Sequence, residues 1–292
     1  RLLAALDGTA PDIVIIEAFP FGRRQVRFEL LPLLEAAAVM ERRPLLVTSV
    51  RDILQERTKP GRDEETVDLL NRYFDLVMVH GDPAFARLED TFALAARIRP
   101  PIAYTGLVTG HEAPPAPDRF DVLVSAGGGA AGSLLVEASI EASAHLPELR
   151  FGVITGPNLP QAAFDAATAR ASSQLSVMRF RDDFPGLLAS AELSVSQAGY
   201  NTVGDTLQAG CRSLLVPFAA GGETEQPARA ARLRQLGLAT VIEERDLTAA
   251  ALAAAIRGAL AAPKSPRAPL DLDGAAGSVS VLETALSEFR GG

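Results

Sequence analysis

The feature that most constrains the fold is a repeated alternation between short apolar runs and longer helical patterns. Each run is rich in Val, Ile and Leu, and it stops at Gly, Pro or polar residues before a helical spacing begins. Short buried strands that alternate with helices are typical of parallel sheets in α/β proteins. Runs of this kind lie at 13–16, 45–48, 76–79, 102–105, 121–125, 151–155, 175–178, 191–195 and 213–216.

The length and one Pro-rich segment indicate two domains. A chain of 292 residues can bury two cores of ordinary size. Pro114, Pro115 and Pro117 stiffen a polar segment without periodicity, as in many interdomain linkers. Residues 1–6 resemble the tail of a helix, so we expect the first domain to be incomplete. The predicted division is a Rossmann-like α/β domain over 1–106, a linker over 107–120, a second Rossmann-like domain over 121–262, and a connector with a helix over 263–292.

Charge and composition exclude several classes of function. The formal net charge of -8 argues against a nucleic-acid partner, which needs a basic surface. Cys211 is the single cysteine, so a reducing, cytoplasmic location is expected. No apolar run approaches the roughly 20 residues of a membrane span. The Asp271-Leu272-Asp273 triplet lies in a Pro-rich connector, and we predict no metal site there.

The sharpest local signal is the change from strand to helix within residues 194–205. An apolar run ends in Ser196-Gln197-Ala198-Gly199, and a helix is predicted from Thr202 with Asn201 as its N-cap. Gly199 is expected to take backbone angles that other residues avoid. Such a turn aims backbone N–H groups and the positive end of a helix at one place, which favours a phosphate. The alternative is an ordinary connection with a routine cap.

Two further turns follow strands of the same predicted sheet. The strand at 213–216 leads through a Gly-rich loop to a helix that opens with Glu225 and Gln226, and the strand at 121–125 leads into glycines from Gly127 to Gly132. Glycines let a backbone approach a ligand closely, although no Lys-Ser/Thr pair follows them as in a Walker loop. Open parallel sheets bind ligands at this carboxyl edge.

The run SQAGYNTVGDTLQAGCRSLLVPFAAGGETEQPARAARLRQLGLATVI resembles the nucleotide-sugar-binding motif of the MurG-like (family 28 type) glycosyltransferases. The resemblance covers 196–242 and extends loosely over 121–260. It implies the two-domain GT-B fold, a UDP-linked sugar donor, an unidentified acceptor hydroxyl, inversion, and neither metal nor cofactor. A solvated charged turn is an equal alternative for Arg181. The implied donor-binding residues are Gly127, Gly128, Gly129, Gly132, Arg181, Ser196, Gly199, Asn201, Thr202, Asp205, Glu225 and Gln226.

In the first half, residues Glu17 to Arg24 resemble the EXFPFGRR signature of predicted glycosyltransferases related to the MurG group. Arg23 and Arg24 suit bidentate recognition of an anionic acceptor or of the donor diphosphate, and Glu17 would serve as a base. The alternative is a structural Arg–Glu pair that braces the loop.

Later strand ends in the first half add three candidates. Arg51 and Asp52 follow the strand at 45–48 and are candidates for binding the acceptor or a phosphate. His80 follows the strand at 76–79 and is a second candidate base, against a solvent-exposed turn residue. A lipid acceptor would bring the protein to a membrane surface. Two other functions stay open, namely a nucleotide-sugar epimerase or hydrolase and a non-catalytic nucleotide-sugar-binding protein.

Overall fold

The computed structural model describes residues 1–57, 59–127, 132–263 and 269–291. The chain forms two compact units, one from Arg1–Val108 with Leu270–Gly292 and the other from Thr109–Pro269. Each unit contains a parallel sheet with helices packed on it, which confirms the predicted α/β class. Within the described ranges, no helix is both long and apolar enough to cross a bilayer.

The first unit has a four-stranded sheet whose strands follow the order of the chain. All three strand pairs are parallel, and the central strand β2 is buried along six of its seven residues. The order is β1 (Ile13–Glu17), β2 (Leu45–Arg51), β3 (Leu76–His80) and β4 (Ile102–Tyr104). The helices are α1 (Leu2–Thr9), α2 (Arg27–Ala38), α3 (Arg62–Tyr73), α4 (Leu88–Thr91) and α11 (Gly274–Gly291).

Helix α11 belongs to the first unit, although the sequence suggested a separate C-terminal segment. Its apolar residues recur at helical spacing and therefore form one stripe. That stripe packs on β2 and β3 against Leu45, Val47, Leu76 and Met78. The packed residues of α11 are Val281, Leu282, Ala285, Leu286 and Phe289.

The second unit has a six-stranded parallel sheet in the order β10-β9-β8-β5-β6-β7. Its strands are β5 (Val122–Ser125), β6 (Phe151–Ile154), β7 (Leu175–Met178), β8 (Leu193–Ser196), β9 (Arg212–Leu215) and β10 (Thr240–Val241). Its helices are α5 (Ser133–Ala144), α6 (Gln161–Thr168), α7 (Phe184–Ser190), α8 (Tyr200–Ala209), α9 (Glu225–Gln235) and α10 (Ala249–Ala261).

The strand order places a topological switch point between β5 and β8. From β5 the chain adds β6 and β7 on one side, and it then returns to add β8 and β9 on the other side. Connections that leave in opposite directions open a crevice at the carboxyl ends of the two strands, where such sheets bind ligands. Both strands are buried along their whole length. The sheet therefore holds two neighbouring turns on a rigid base.

Candidate functional site

The turns that follow β5 and β8 lie side by side. Ser125 and Ser196, the last residues of the two strands, are register partners. Beyond them, a Cβ built on Gly127 would lie 3.3 Å from the Gln197 Oε1 atom. Gly127 has a φ of +74°, which other residues rarely adopt. The structure thus brings together the two turns that the sequence assigned to one anion site, while Gly128 and Gly129 lie outside the described residues.

Gly132 allows α5 to begin directly against the end of β5. A Cβ at this position would lie 2.5 Å from the Ala126 Cβ atom and 2.6 Å from the Ala126 carbonyl oxygen. Neither distance is possible for real atoms, so a larger residue would push the helix away from the strand. The glycine therefore brings the N-terminus of α5 to the carboxyl edge of the sheet.

The start of α8 differs from the prediction. The helix begins at Tyr200 and not at Thr202, and Gly199 rather than Asn201 is its N-cap. The Gly199 carbonyl accepts the Val203 N–H at 3.0 Å, which fixes this start. The expectation of unusual angles at Gly199 was also wrong, because its φ is -67°. The N–H groups of the first turn still have no acceptor within the helix, so the positive end of α8 follows β8 directly.

Gln226 ties the ends of two strands together. Its Oε1 atom accepts the Ala198 N–H after β8 and the Phe218 N–H after β9, each at 3.1 Å. None of the described residues accepts a hydrogen bond from its amide nitrogen. The sequence predicted a ligand contact for Gln226, and the structure adds a bracing role for its oxygen. Glu225 is the first residue of α9 and is half-buried.

Arg229 is a buried residue of this site that the sequence analysis missed. Its side chain is 1% exposed, and Nη1 donates to the Ala198 carbonyl at 3.0 Å. The guanidinium lies 5.8 Å from the centre of the Tyr200 ring and 4.0 Å from a Glu225 carboxylate oxygen. A signal was available, because Arg229 follows Gln226 by three residues and therefore shares its face of α9.

Ser196 lies too deep for its side chain to touch a ligand in this conformation. Its residue exposure is 0%, and no hydrogen-bond partner for its hydroxyl occurs among the described residues. A ligand at this edge would contact the turn beyond Ser196. Asn201, in the first turn of α8, is exposed, and Thr202 is partly exposed.

Asp205 lies on the wall of a pocket of about 440 Å³ inside the second unit. Burial raises the pKa of its carboxyl group above the ordinary 3.8, and a hydrogen bond from the Gly110 N–H opposes that rise. Gln208 and His111 supply further polar groups to the lining, and several Pro and Ala residues supply apolar surface. A pocket with a few polar groups on apolar walls is typical of small-molecule sites.

Arg181 is held by two carboxylates. It donates to Asp183 at 2.6 and 2.7 Å and to Asp118 at 2.9 Å. These hydrogen bonds hold the pKa of Arg181 above its ordinary value, with that from Asp183 contributing most. This arrangement corresponds to the charged turn that was the alternative for Arg181, and donor binding by this residue stays a prediction.

The loop with the EXFPFGRR signature contains the structural ion pairs that were its alternative interpretation. Arg23 donates to Glu17 at 2.6 Å, and both side chains are exposed. Arg24 and Arg27 both pair with Glu65 of α3. Arg23 has a φ of +50°, a backbone strain that functional loops often contain. The two arginines therefore brace the loop, and binding of an anion by them stays a prediction.

His80 lies at the carboxyl edge of the first unit, where Arg51 is its register partner. Its Nδ1 atom is 3.1 Å from the Thr105 hydroxyl, whose single proton can go to the Gly106 carbonyl at 3.0 Å. With the proton placed there, the hydroxyl accepts from Nδ1–H, and this tautomer of the neutral ring carries its lone pair on Nε2. Burial lowers the pKa of His80 below 6.5. The negative charge of Glu17 opposes this lowering, and the positive charge of Arg51 adds to it.

Asp52 is buried in this edge, and binding of an acceptor or a phosphate by it stays a prediction. It is 1% exposed, and its carboxylate accepts the N–H of Ile53 at 2.8 Å. The Asp271-Leu272-Asp273 triplet makes backbone contacts within the first unit. The Asp271 N–H donates to the Asp82 carboxylate at 2.8 Å, and Asp273 forms an isolated antiparallel β-bridge with Val108. In the ranges that the structure covers, no three His, Cys, Asp or Glu residues form a cluster that could hold a metal ion.

Comparisons with solved structures identify the fold of this architecture. The calicheamicin glycosyltransferase CalG4 superposes with a TM-score of 0.64 at 20% identity, over 97% of this chain and 75% of that one. MurG of Acinetobacter baumannii superposes with a TM-score of 0.61 at 17% identity, over 97% of this chain and 76% of that one. These similarities confirm the GT-B fold of two Rossmann-like units.

Sequence comparisons then show the family. Residues 123–272 match the glycosyltransferase family 28 C-terminal domain. The chain belongs to this family, as the MurG-like motif predicted. The UDP-N-acetylglucosamine–N-acetylmuramyl-(pentapeptide) pyrophosphoryl-undecaprenol N-acetylglucosamine transferase of Rhodospirillum centenum is 34% identical over 165 residues, which are 54% of this chain and 42% of that protein. The enzyme of the same name from Anaeromyxobacter dehalogenans is 40% identical over 88 residues, which are 30% of this chain and 23% of that protein. The matched part thus spans less than half of these relatives.

Proposed function

We propose that the protein transfers a sugar from a UDP-linked donor to an acceptor hydroxyl. The observation that carries this proposal is the switch point of the second unit, where the Gly127 turn adjoins the turn that leads into α8. The family match covers the same residues. In this proposal the second unit holds the donor, and the first unit supplies the acceptor site and the base.

The donor diphosphate would bind the first-turn N–H groups of α8, from Tyr200 to Thr202, together with the Gly127 turn. Asp205 would accept hydrogen bonds from the ribose, and the pocket beside it would hold the uracil ring of the nucleotide. Glu225 and the amide nitrogen of Gln226 would contact sugar hydroxyls. As the glycosidic C–O bond breaks, negative charge develops on the diphosphate. Helix N-termini already aimed at that charge stabilise it without a metal or cofactor.

For the acceptor, His80 is the better of the two candidate bases. Glu17 forms an ion pair with Arg23. The lowered pKa of His80 keeps its ring neutral near pH 7, and a neutral imidazole can accept a proton. The acceptor oxygen would attack the anomeric carbon as the bond to the diphosphate breaks, and its proton would pass to His80. A single displacement of this kind inverts the anomeric configuration.

The names of the relatives suggest which substrates to try first. The Rhodospirillum centenum protein is named for transfer of N-acetylglucosamine from its UDP derivative to a pyrophosphoryl-undecaprenol acceptor. We therefore propose UDP-N-acetylglucosamine as the first donor and a lipid-linked diphosphate as the first acceptor. Work on such an acceptor would bring the protein to a membrane surface.

The deciding experiment incubates the chain with UDP-N-acetylglucosamine and other UDP-sugars, with and without a panel of acceptors, in EDTA. We expect UDP release only when an acceptor is present, with an inverted anomeric centre in the product by NMR. UDP or an epimer formed without an acceptor would indicate a hydrolase or epimerase instead. Donor binding without turnover across the panel would indicate a non-catalytic binding protein. The His80→Gln variant, which cannot accept the proton, is the control for slow background release.

A further inference from the structure

Arg229 is a charged residue that is buried beside the turn between β8 and α8. It lies on α9, its side chain is 1% exposed, and it is among the largest fully buried side chains of the described chain. A buried guanidinium costs free energy unless good hydrogen bonds and an ion pair offset its loss of water. Its carboxylate neighbour Glu225 is 4.0 Å away, which is at the outer limit of an ion pair.

The guanidinium is directed at the turn between β8 and α8. Its Nη1 atom donates to the Ala198 carbonyl at 3.0 Å, and Gln226 accepts the Ala198 N–H at 3.1 Å. Two side chains of α9 thus hold both polar backbone groups of one residue. The peptide that precedes Gly199 can no longer rotate, so the direction of the first N–H groups of α8 is fixed by α9.

The charge of Arg229 lies close to another positive charge. The N-terminus of α8 carries a partial positive charge, and the guanidinium donates to the Ala198 carbonyl, two residues before the first residue of that helix. Electrostatic interactions are strong in a poorly solvated interior, so both positive groups act on a charge that is placed near them. A bound anion at the N-terminus of α8 would be attracted by both. A diphosphate at this turn thus gains from both positive groups, whereas an uncharged nucleoside does not.

We propose that Arg229 is a positioning residue that orients the turn between β8 and α8 and makes this site select a diphosphate over the uncharged nucleoside. The inference rests on the proposed function, since it assigns the diphosphate of the donor to this turn. It also explains how a chain with a net charge of -8 can hold an anion without a lysine-rich loop.

The test measures binding of UDP, uridine and inorganic pyrophosphate by isothermal titration calorimetry. Arg229→Gln removes the charge from a polar side chain, whereas Arg229→Lys keeps the charge. Arg234→Gln is the matched control, because it removes the same charge from the exposed last turn of α9. We expect Arg229→Gln to lower the affinity for UDP and pyrophosphate by about tenfold or more, and to leave the affinity for uridine within about twofold of the wild type. The Lys variant and the control should retain the UDP preference.

Equal weakening of UDP and uridine in Arg229→Gln would overturn the inference, since it would mean general damage to the fold. Unchanged UDP binding would overturn it as well. If Arg229→Gln does not unfold cooperatively, and is therefore misfolded, the binding data for Arg229→Lys are used instead. An Arg229→Lys protein that no longer binds UDP more tightly than uridine would contradict the inference. Wild-type protein that binds UDP but transfers no sugar would refute the proposed function alone. Wild-type protein that binds neither UDP nor pyrophosphate would refute both.

Discussion

Gln226 offers a sharp test of how the site is built, because one side-chain oxygen holds two turns. Its Oε1 atom accepts the N–H groups of Ala198 and Phe218 at 3.1 Å each. The Gln226→Leu substitution keeps a similar volume but removes the acceptor from both. A buried donor left without a partner costs about 1–3 kcal/mol. Ala198 is fully buried and Phe218 is partly exposed, so we expect a total loss of about 2–4 kcal/mol in unfolding free energy.

The Gln226→Glu substitution separates bracing from binding. A carboxylate oxygen accepts the same two N–H groups, so the unfolding free energy should stay within about 1 kcal/mol of the wild type. The new charge, however, lies beside the turn that would hold the diphosphate. Like charges about 8 Å apart repel by about 2 kcal/mol at an effective dielectric constant of about 20, so UDP affinity should fall about thirtyfold.

Urea unfolding and UDP titration of both variants give the two readouts. Gln235→Leu is the matched control, because Gln235 is an exposed glutamine at the end of the same helix and should change neither quantity by much. A Gln226→Leu protein as stable as the wild type would refute the bracing role. A stable Gln226→Glu protein with wild-type UDP affinity would refute the location of the diphosphate.

Three further predictions concern other parts of the two units. Gly132→Ala should lower the unfolding free energy by about 1–3 kcal/mol in thermal unfolding, because the new Cβ would lie 2.5 Å from the Ala126 Cβ atom. The control Gly258→Ala meets open space in α10 and should raise the unfolding free energy by about 0.5–1 kcal/mol. Equal melting temperatures of the two variants would contradict the clash. Burial raises the pKa of Asp205, so its ionised form costs stability as the pH rises above 3.8. Asp205→Asn should therefore melt no lower than the wild type at pH 7, with a difference that vanishes below pH 3.8, while UDP affinity falls about tenfold; unchanged affinity would argue against a ribose contact. His80→Gln should lower turnover about 100-fold or more and abolish an acid limb of the wild-type pH–rate profile that lies below pH 6.5, and a limb that persists in the variant would exclude His80 as the base.

Much of the fold was predictable because the apolar runs are short and interrupted by strong turn residues. Nine runs correspond to β1 through β9, with ends that differ by at most three residues. The strand β10 (Thr240–Val241) escaped notice because two residues are too few to form a pattern. The sequence predicted a helix near the C-terminus, but local spacing could not show which core it joins, and the structure places α11 on the first unit.

The site was predictable in outline but not in its contacts. Strand ends identify the carboxyl edge, and the MurG-like motif adds Gly127, Asp205 and Gln226 as candidates whose contacts with a donor stay predictions. Local rules favour Asn201 as an N-cap, yet the Gly199 carbonyl starts α8 two residues before the predicted start at Thr202. The role of Arg229 depends on the Ala198 carbonyl, 31 residues away in sequence, and no local pattern reports such a contact.

The most direct test of the account is an amide chemical-shift titration of the ¹⁵N-labelled chain with UDP, with uridine as the reference ligand. The account predicts that UDP, and not uridine, produces its largest amide shifts at Gly127, Tyr200, Asn201 and Thr202, where the diphosphate would meet the backbone. Shifts that are the same for both ligands, or that leave these amides unchanged while others move, would contradict the assignment of the anion site to the turns after β5 and β8.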